Sequence, residues 1–388
     1  MRSLFAPIGG VAVAAVVTAI SSSSVQADAR PKAVITILHS FGTDGQHPFS
    51  GLVADKSGTM YGTTLHGGAT SLGTVYKLAP DGAVSVIYNF QGTTDGAFPF
   101  SGVTLDKKGN LFGVTSGADV SDDYGTVYKM TAKGKEKVLH VLNNVPDGNS
   151  PQSELVDDGE GNFYGTAAAG GMGAGDVFRI SPSGNFEVVY SFIGGADGGN
   201  PVSGLITDGS GNFFGTTYNG GDHGWGTVFG VTAGGGHTIL YSFTGGTDGR
   251  NPWSGLVADK SGNFYGTTYF GGDQDMGVVF KLAPDGTQSV LHSFTGGNDG
   301  SNPIGNLLID KKGNLYGTAN LGGKGGAGTV FEISAHGKFS TLYAFKGAPK
   351  DGANPAGDLY MDGDGVLFGT TENGGENASG TIFKLTIQ

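Results

Sequence analysis

The side chains best suited to chemistry in this sequence are imidazoles and carboxylates, because it contains eight histidines and no cysteine. His47 and His66 lie in segments that vary between the repeats of the chain, and so do Glu372 and Glu376 near its end. Imidazole titrates near neutral pH, and both groups bind transition metals. We expect these four residues to converge, in an arrangement suited to acid–base chemistry or a metal, if the first and last repeats are neighbours.

A second set consists of Asp222, His223 and Trp225, which follow a Gly-Gly pair in the fourth repeat. An indole face with polar side chains beside it suits the stacking of a sugar ring. The alternative is that Trp225 only packs beneath its own loop. We rank this set first for binding, and the histidine–glutamate set first for catalysis.

Glu154 and Asp358 form a third set, because each replaces a glycine of the repeat. The glycine is kept in four other repeats, at Gly51, Gly102, Gly204 and Gly255. This position is expected to border a central channel, where two carboxylates would suit acid–base work. They come from nearly opposite repeats, so direct pairing is not expected, and the alternative is that both are solvated residues at the channel mouth.

Composition and motifs exclude several classes of function. A formal net charge of −12 argues against nucleic acid, which requires a basic face on its partner. Without cysteine the chain has no disulfide framework and no thiolate zinc site. It contains no nucleophile elbow, P-loop, HExxH or EF-hand pattern. We therefore expect no cofactor and assign no metal.

The elements that must position these residues come from a tandem repeat. An Asp-Gly pair recurs at intervals of 50 to 52 residues, at Asp44, Asp95, Asp147, Asp197, Asp248, Asp299 and Asp351. Aromatic and β-branched runs alternate with Gly-containing turns, which indicates four short strands per unit. In the fifth unit we predict strands A to D at 255–258, 264–269, 277–282 and 289–294. The sequence therefore predicts an all-β fold, a seven-bladed β-propeller.

The two ends of the array predict how the ring closes. The last unit stops after its third strand, at 380–385, whereas residues 35–41 match the fourth strand of the other units. We expect this N-terminal strand to complete the last blade, with Ile35, Ile37 and Phe41 packing against residues 356–385. Such a strand joins the two ends of the ring.

Propeller geometry places the D–A and B–C loops on one face and the A–B and C–D turns on the other. Sequence variation is concentrated in the first pair of loops, so function is expected on that face. The repeated Asp-Gly-x-Asn-Pro of the D–A loops is interpreted as a turn, with a ring of ligand-binding carboxylates as the alternative. Three histidines of strand D, His39, His140 and His292, are interpreted as packing residues.

The N-terminus predicts a signal peptide at residues 1–27, followed by a propeller of residues 28–388. Arg2 precedes an apolar segment at 8–20, which is short for a membrane span. Small residues at Val25 and Ala27 suit cleavage before Asp28. The protein is therefore expected to be secreted or periplasmic, with an uncleaved anchor as the alternative.

The repeat also resembles known families. GLVADKSGNFYGTT at 255–268 is similar to the core of NHL-type propeller repeats. The whole unit, with Tyr265-Gly266-Thr267, Gly271-Gly272 and Val279-Phe280-Lys281-Leu282, more closely resembles the bacterial GloVer tandem repeat, over residues 33–388. This resemblance implies an exported propeller with no defined activity. Related proteins carry a surface anchor after the array, and none is expected here.

These observations predict a protein that binds a glycan or protein ligand outside the cytoplasm, on the face of the D–A and B–C loops. The alternative is a secreted polysaccharide-active lyase or hydrolase that uses histidines and carboxylates of the same face. We expect a monomer, with no nucleic-acid partner and no membrane partner after signal cleavage.

Overall fold

In a computed structural model, which describes residues 33–92, 94–117 and 124–387, the chain forms seven antiparallel sheets, each built from strands A, B, C and D in that order. The predicted all-β, seven-bladed propeller is confirmed. The predicted signal peptide lies outside the described residues. No helix within the described ranges is long and apolar enough to cross a membrane.

Corresponding strands of the seven blades have similar lengths. In the order A to D, blade 1 consists of Val53–Ala54, Met60–Thr64, Thr74–Leu78 and Val84–Asn89. Blade 2 consists of Thr104–Leu105, Asn110–Thr115, Thr126–Thr131 and Glu136–Val141. Blade 3 consists of Val156–Asp157, Phe163–Ala169, Asp176–Ile180 and Phe186–Ser191. Blades 4 to 7 are Ile206–Thr207, Asn212–Thr217, Thr227–Thr232, His237–Ser242; Val257–Ala258, Phe264–Thr268, Val278–Leu282, Gln288–Ser293; Leu308–Ile309, Leu315–Ala319, Thr329–Ile333, Phe339–Ala344; and Tyr360–Met361, Leu367–Thr371, Thr381–Ile387, Ala33–Ser40. Three short strands, Asn149–Pro151, Gly352–Ala353 and Asn373–Gly374, and a 3-10 turn at Gly195–Asp197 lie in the connections between these strands.

The N-terminal strand closes the ring as predicted. Ala33–Ser40 pairs antiparallel with strand C of blade 7, from Ala33 opposite Ile387 to Ser40 opposite Thr381. The N–H of Phe41 then donates to Gly380 O, and the Phe41 side chain is almost completely buried. The first described strand is thus the fourth strand of the last blade.

The apolar core is divided among the seven interfaces between blades. Seven separate clusters of buried side chains each combine residues of two neighbouring blades. The glycine of the Tyr-Gly-Thr sequence leaves room for the strand C aromatic within each blade, because a Cβ on Gly266 would come within 2.7 Å of the Phe280 ring. Aromatic rings therefore fill the space between sheets.

Strand A is shorter than predicted, because its first residues bond to a neighbouring blade. In blade 5 it comprises Val257–Ala258, whereas 255–258 was expected. The N–H of Gly255 donates to the side chain of Asn306 in blade 6. This link between blades at the axis replaces a bond within the sheet.

Candidate ligand-binding site

The seven aspartates that begin the D–A loops are held by the scaffold. Tyr241 Oη donates to Asp248 Oδ2 at 2.9 Å, and His292 Nε2 lies 3.0 Å from Asp299 Oδ2. The other five blades repeat the pairing of this aspartate with a Tyr or His of strand D. The geometry agrees with the turn interpretation, and it gives the strand D histidines a hydrogen-bonding role besides packing.

In blades 4 to 7 the asparagine of the same loop ties the blade to the one before it. Asn302 adopts a left-handed φ of 53°, which asparagine tolerates better than most residues, and its Nδ2 donates to Tyr269 O at 3.0 Å. In blades 1, 2 and 3 the same position and backbone conformation belong to His47, Phe98 and Ser150. In these three blades an imidazole, a phenyl ring and a hydroxyl stand where the other blades have the asparagine amide.

Two of the predicted imidazoles are brought together in this region. The rings of His47 and His66 lie 5.7 Å apart between centroids and almost perpendicular, and His66 also meets Phe98 edge-on at 5.0 Å. Burial, and then the neighbouring His47, lowers the pKa of His66, which therefore stays neutral at pH 7. His47 Nδ1 is buried and has no hydrogen-bond partner among the described residues. Within the described ranges no third His, Asp or Glu completes a metal-binding group with this pair.

The two glutamates expected beside these imidazoles are placed differently. Glu376 is exposed and lines a surface groove of about 710 Å³ with His39 and Lys350. Glu372 is partly exposed in the strand B to strand C connection of the same blade. In the part of the chain that the structure describes, neither carboxylate makes a hydrogen bond or ion pair with either imidazole. The two histidines thus contact each other, and within the described ranges neither glutamate is joined to them by a hydrogen bond or ion pair.

The three side chains of the blade 4 set are exposed, and the indole also packs against a loop glycine. Asp222, His223 and Trp225 all face solvent, Trp225 with 39% of its surface. The indole lies across Gly245, where an added Cβ would come within 2.4 Å of its Cδ1. Met276 occupies the same position in blade 5 and packs over its own loop glycine. Packing therefore accounts for part of the role of Trp225, as the alternative interpretation states.

The exposed side of the indole belongs to a groove between blades 4 and 5. The guanidinium carbon of Arg250 lies 5.0 Å from the centre of the Trp225 ring and 4.7 Å from that of Phe270. Arg250 Nε donates to Asp275 Oδ1 at 3.1 Å, and Nη2 donates to Oδ2 at 2.6 Å. We call this the blade 4–5 groove; it has a volume of about 600 Å³ and includes Asp273 of the same loop.

Asp275 is held in an unusual backbone conformation. Its φ is 58°, in the left-handed region, where blades 3, 4 and 6 have Gly173, Gly224 and Gly326. A non-glycine residue there is strained, and the strain is offset because Asp275 Oδ1 accepts the N–H of Gly271 at 2.8 Å as well as bonding to Arg250. The hydrogen bond from Arg250 is the main reason that the pKa of Asp275 is lowered.

Sequence analysis did not identify Arg250, although a signal for it was present. The residue between Gly and Asn in the D–A loop sequence is Gln, Ala, Asn, Gly, Ser or Ala in the other six repeats, and only the fifth has a cation. Contact between Arg250 and Trp225 depends on how loops of adjacent blades meet, which the spacing along the chain does not give. A departure from the repeat is the signal that would have found it.

The two remaining candidates, Glu154 and Asp358, line one cavity on the propeller axis. It has a volume of about 60 Å³, and all seven blades contribute to it. Asn306 occupies the same position of the repeat in blade 6, and glycines occupy it in the other four blades. We call this the axial cup. Around its rim the Phe49 and Phe100 rings lie 4.3 Å apart between centroids.

Hydrogen bonds run from blade to blade around the axial cup. The N–H and the Nδ2 of Asn306 both donate to the carboxyl of Asp358, at 2.6 and 2.7 Å. Glu154 accepts the N–H of Gly102. Burial, and then the charge of Asp358, raises the pKa of Glu154 to about 8, and burial also raises the pKa of Asp358. Glu154 is therefore protonated at neutral pH, and the two carboxyls interact although they come from distant blades.

Comparisons with known proteins agree with this fold. The model of the Gloeobacter/Verrucomicrobia repeat family matches residues 25–229 and 203–388. No curated protein matches the sequence significantly. Among solved structures, the extracellular domain of a proposed one-component system from B. thetaiotaomicron is similar with a TM-score of 0.58 and 9% identity, over 90% of this chain and 39% of that one. A proposed 6-phosphogluconolactonase from Bacteroides uniformis is similar with a TM-score of 0.54 and 14% identity, over 84% and 90%. At such identities the likeness shows the propeller fold alone.

Proposed function

Because the chain belongs to the Gloeobacter/Verrucomicrobia repeat family, which is defined by its repeat, we propose its function from the residues that break that repeat: it is an exported propeller that binds a glycan on the face of its D–A and B–C loops. The observation that carries this proposal is the blade 4–5 groove. There an exposed indole lies against an arginine that is paired with a carboxylate.

Each part of the groove suits a sugar. The aromatic ring offers an apolar surface to the C–H face of a pyranose. A guanidinium has five N–H donors, so Arg250 keeps donors after pairing with Asp275, whose oxygens keep free lone pairs. Adjacent hydroxyls both donate and accept, and they therefore match a neighbouring donor and acceptor. Because the two rings already hold Arg250 in place, little side-chain entropy is lost on binding.

The test compares glycan binding by two variants, each of which removes a side chain that packs over a loop glycine. A glycan that binds the wild type is first identified on an array of neutral, acidic and amino-sugar oligosaccharides. Trp225→Ala is expected to weaken its binding about tenfold, as calorimetry would measure, because loss of an aromatic contact costs about 1 kcal/mol or more. Met276→Ala is the control, since Met276 packs over a loop glycine in the same way in the next blade. An array without a binder, or equal effects of the two variants, would reject the proposal.

Export is supported by the charged and apolar segments of residues 1–27. The protein recovered from the periplasm or culture medium is then expected to begin at or near Asp28. Mass spectrometry that finds residues 1–20 retained in the final protein would contradict this part of the proposal.

The axial cup favours a second candidate function, acid–base catalysis on a polysaccharide. Glu154 is a proton donor at neutral pH, and Asp358 supplies a second carboxyl in the same cavity. Incubation with pools of polysaccharides would release reducing ends or unsaturated ends, and Glu154→Gln would abolish the release. A wild-type protein that produces neither end group is not such an enzyme.

A further inference from the structure

The pairing of Arg250 with Asp275 has a consequence for which glycans the groove accepts. Wherever an arginine is free, its planar fork binds a carboxylate through two parallel hydrogen bonds. In this protein Asp275 already makes that pair of bonds, with 23% of the Arg250 side chain and 57% of the Asp275 side chain exposed. The most obvious anchor for an acidic sugar is therefore occupied from within the chain.

The net charge of the groove also disfavours an acidic sugar. Its charged side chains are Arg250, Asp273 and Asp275, one cation and two anions, so the groove is negative overall. The whole chain has a formal net charge of −12. An approaching uronate would be repelled by the negative groove, and no free cation would compensate for that repulsion. A neutral hexose is not repelled and needs no cation, so neither effect weakens its binding.

From these observations, and resting on the proposed glycan function, we infer that the blade 4–5 groove selects neutral sugars and that Asp275 is the residue that excludes uronates. Asp275 acts through Arg250, by holding its guanidinium in an internal ion pair. The left-handed conformation at this position allows the carboxylate to reach both Arg250 and the N–H of Gly271. A glycine, as in three other blades, would leave Arg250 free.

The test uses sugars that differ only at C6. Hexasaccharides of β-1,4-mannose and β-1,4-mannuronate form one pair, and those of β-1,4-glucose and β-1,4-glucuronate form another; in each pair a CH2OH group is replaced by a carboxylate. The wild type is expected to bind the neutral member of a pair at least tenfold more tightly than the acidic member. Asp275→Asn is expected to shift this ratio toward the uronate by about tenfold or more, because it removes the ion pair and the Oδ2 acceptor of Arg250 Nη2, so that the guanidinium can pair with the sugar carboxylate instead.

Asp273→Asn is the matched control, since it removes the same charge from the same loop and leaves the Arg250 pair intact. It is expected to change the ratio less than threefold or so, by the removal of simple repulsion. The Asp275→Asn variant would keep the fold, because asparagine tolerates the left-handed conformation and its side-chain carbonyl would still accept the Gly271 N–H. Equal melting temperatures would verify this.

The outcomes separate the selectivity from the binding function. Equal binding of the two members of a pair by the wild type, or equal shifts in Asp275→Asn and Asp273→Asn, would overturn the role of Asp275 and leave glycan binding in place. If no member of either pair binds while the array identifies another glycan, the same comparison is made with the neutral and C6-carboxylate forms of that glycan, and the same two results would overturn the role of Asp275. If the array also contains no binder, both the selectivity and the proposed function are rejected.

Discussion

Single residues of the D–A loop combine a backbone role with a contact between blades. Asn302 is buried, adopts a left-handed φ, and donates its side-chain amide to the preceding blade. Few residues satisfy both demands, because the conformation disfavours residues with a Cβ unless a short polar side chain compensates. Where His47, Phe98 and Ser150 take this position, the chain accepts the same conformation without that amide. Such departures from the repeat are the first positions to consider for a function that only some blades have.

The two demands can be separated by substitution. Asn302→Ala is expected to lower the free energy of unfolding by about 2 kcal/mol, because it adds backbone strain and removes a buried hydrogen bond to Tyr269 O. Asn302→Gly removes only the hydrogen bond and is expected to cost about half as much. Urea unfolding measures both values. An alanine variant as stable as the glycine variant would show that the left-handed backbone carries no strain.

At the scale of residues, the sequence predicted which loop positions depart from the repeat better than it predicted which side chains contact each other. It identified Trp225 in a loop that varies between repeats, but it grouped the indole with Asp222 and His223, its neighbours along the chain. In the structure Trp225 lies against Arg250 of the following loop. Adjacent loops of a propeller exchange contacts, so the partner of a loop residue is usually about half a repeat away in sequence.

Strands were more predictable than loops, because their pattern is repeated seven times. The period predicted the number of blades, and the missing fourth strand of the last unit predicted its replacement at residues 35–41, which the structure places at 33–40. Strand A was overestimated in blade 5, where Gly255 bonds to the side chain of Asn306 in the neighbouring blade. Such bonds between repeats leave no trace in the pattern of a single unit.

The closing strand can be tested by deletion. Removing residues 28–41 is expected to leave strand C of blade 7 as an unpaired edge, and to take Phe41 out of the cluster between blades 7 and 1. The truncated protein should melt at a lower temperature and sediment as oligomers. Removing residues 28–32 alone keeps the strand and serves as the control. A monomeric 28–41 deletion with an unchanged melting temperature would mean that the ring does not depend on this strand.

At the scale of the whole molecule, buried carboxyls make stability depend on pH. Burial raises the pKa of Glu154 to about 8, of Glu136 to about 7 and of Asp176 to about 6, whereas an exposed Glu or Asp titrates near 4. Each group binds its proton more tightly in the folded state. The stability it contributes is therefore fully present below its unfolded pKa and is lost as the pH rises through its folded pKa.

The melting temperature is accordingly expected to keep falling between pH 7 and about pH 8, the folded pKa of Glu154, and to level off at higher pH. Buried histidines with lowered pKa values, such as His66 and His237, act in the opposite direction but only below about pH 6.5, outside this window. Glu154→Gln removes the group that titrates highest among the three and should show a smaller fall. Thermal melts of both proteins across this range provide the measurement, and parallel curves would refute the assignment to Glu154.

The pairing of residues 33–40 with residues 381–387 also sets an order of events in time. During synthesis the first of these strands emerges before any blade, and its partner emerges about 350 residues later, after blades 1 to 6. Blades 1 to 6 have all four of their strands before that moment, whereas blade 7 gains its outer strand only when residues 381–387 are present. The ring therefore closes only after strand C of blade 7 has been synthesised, and the unpaired first strand is the segment that a nascent chain must keep from aggregating until then.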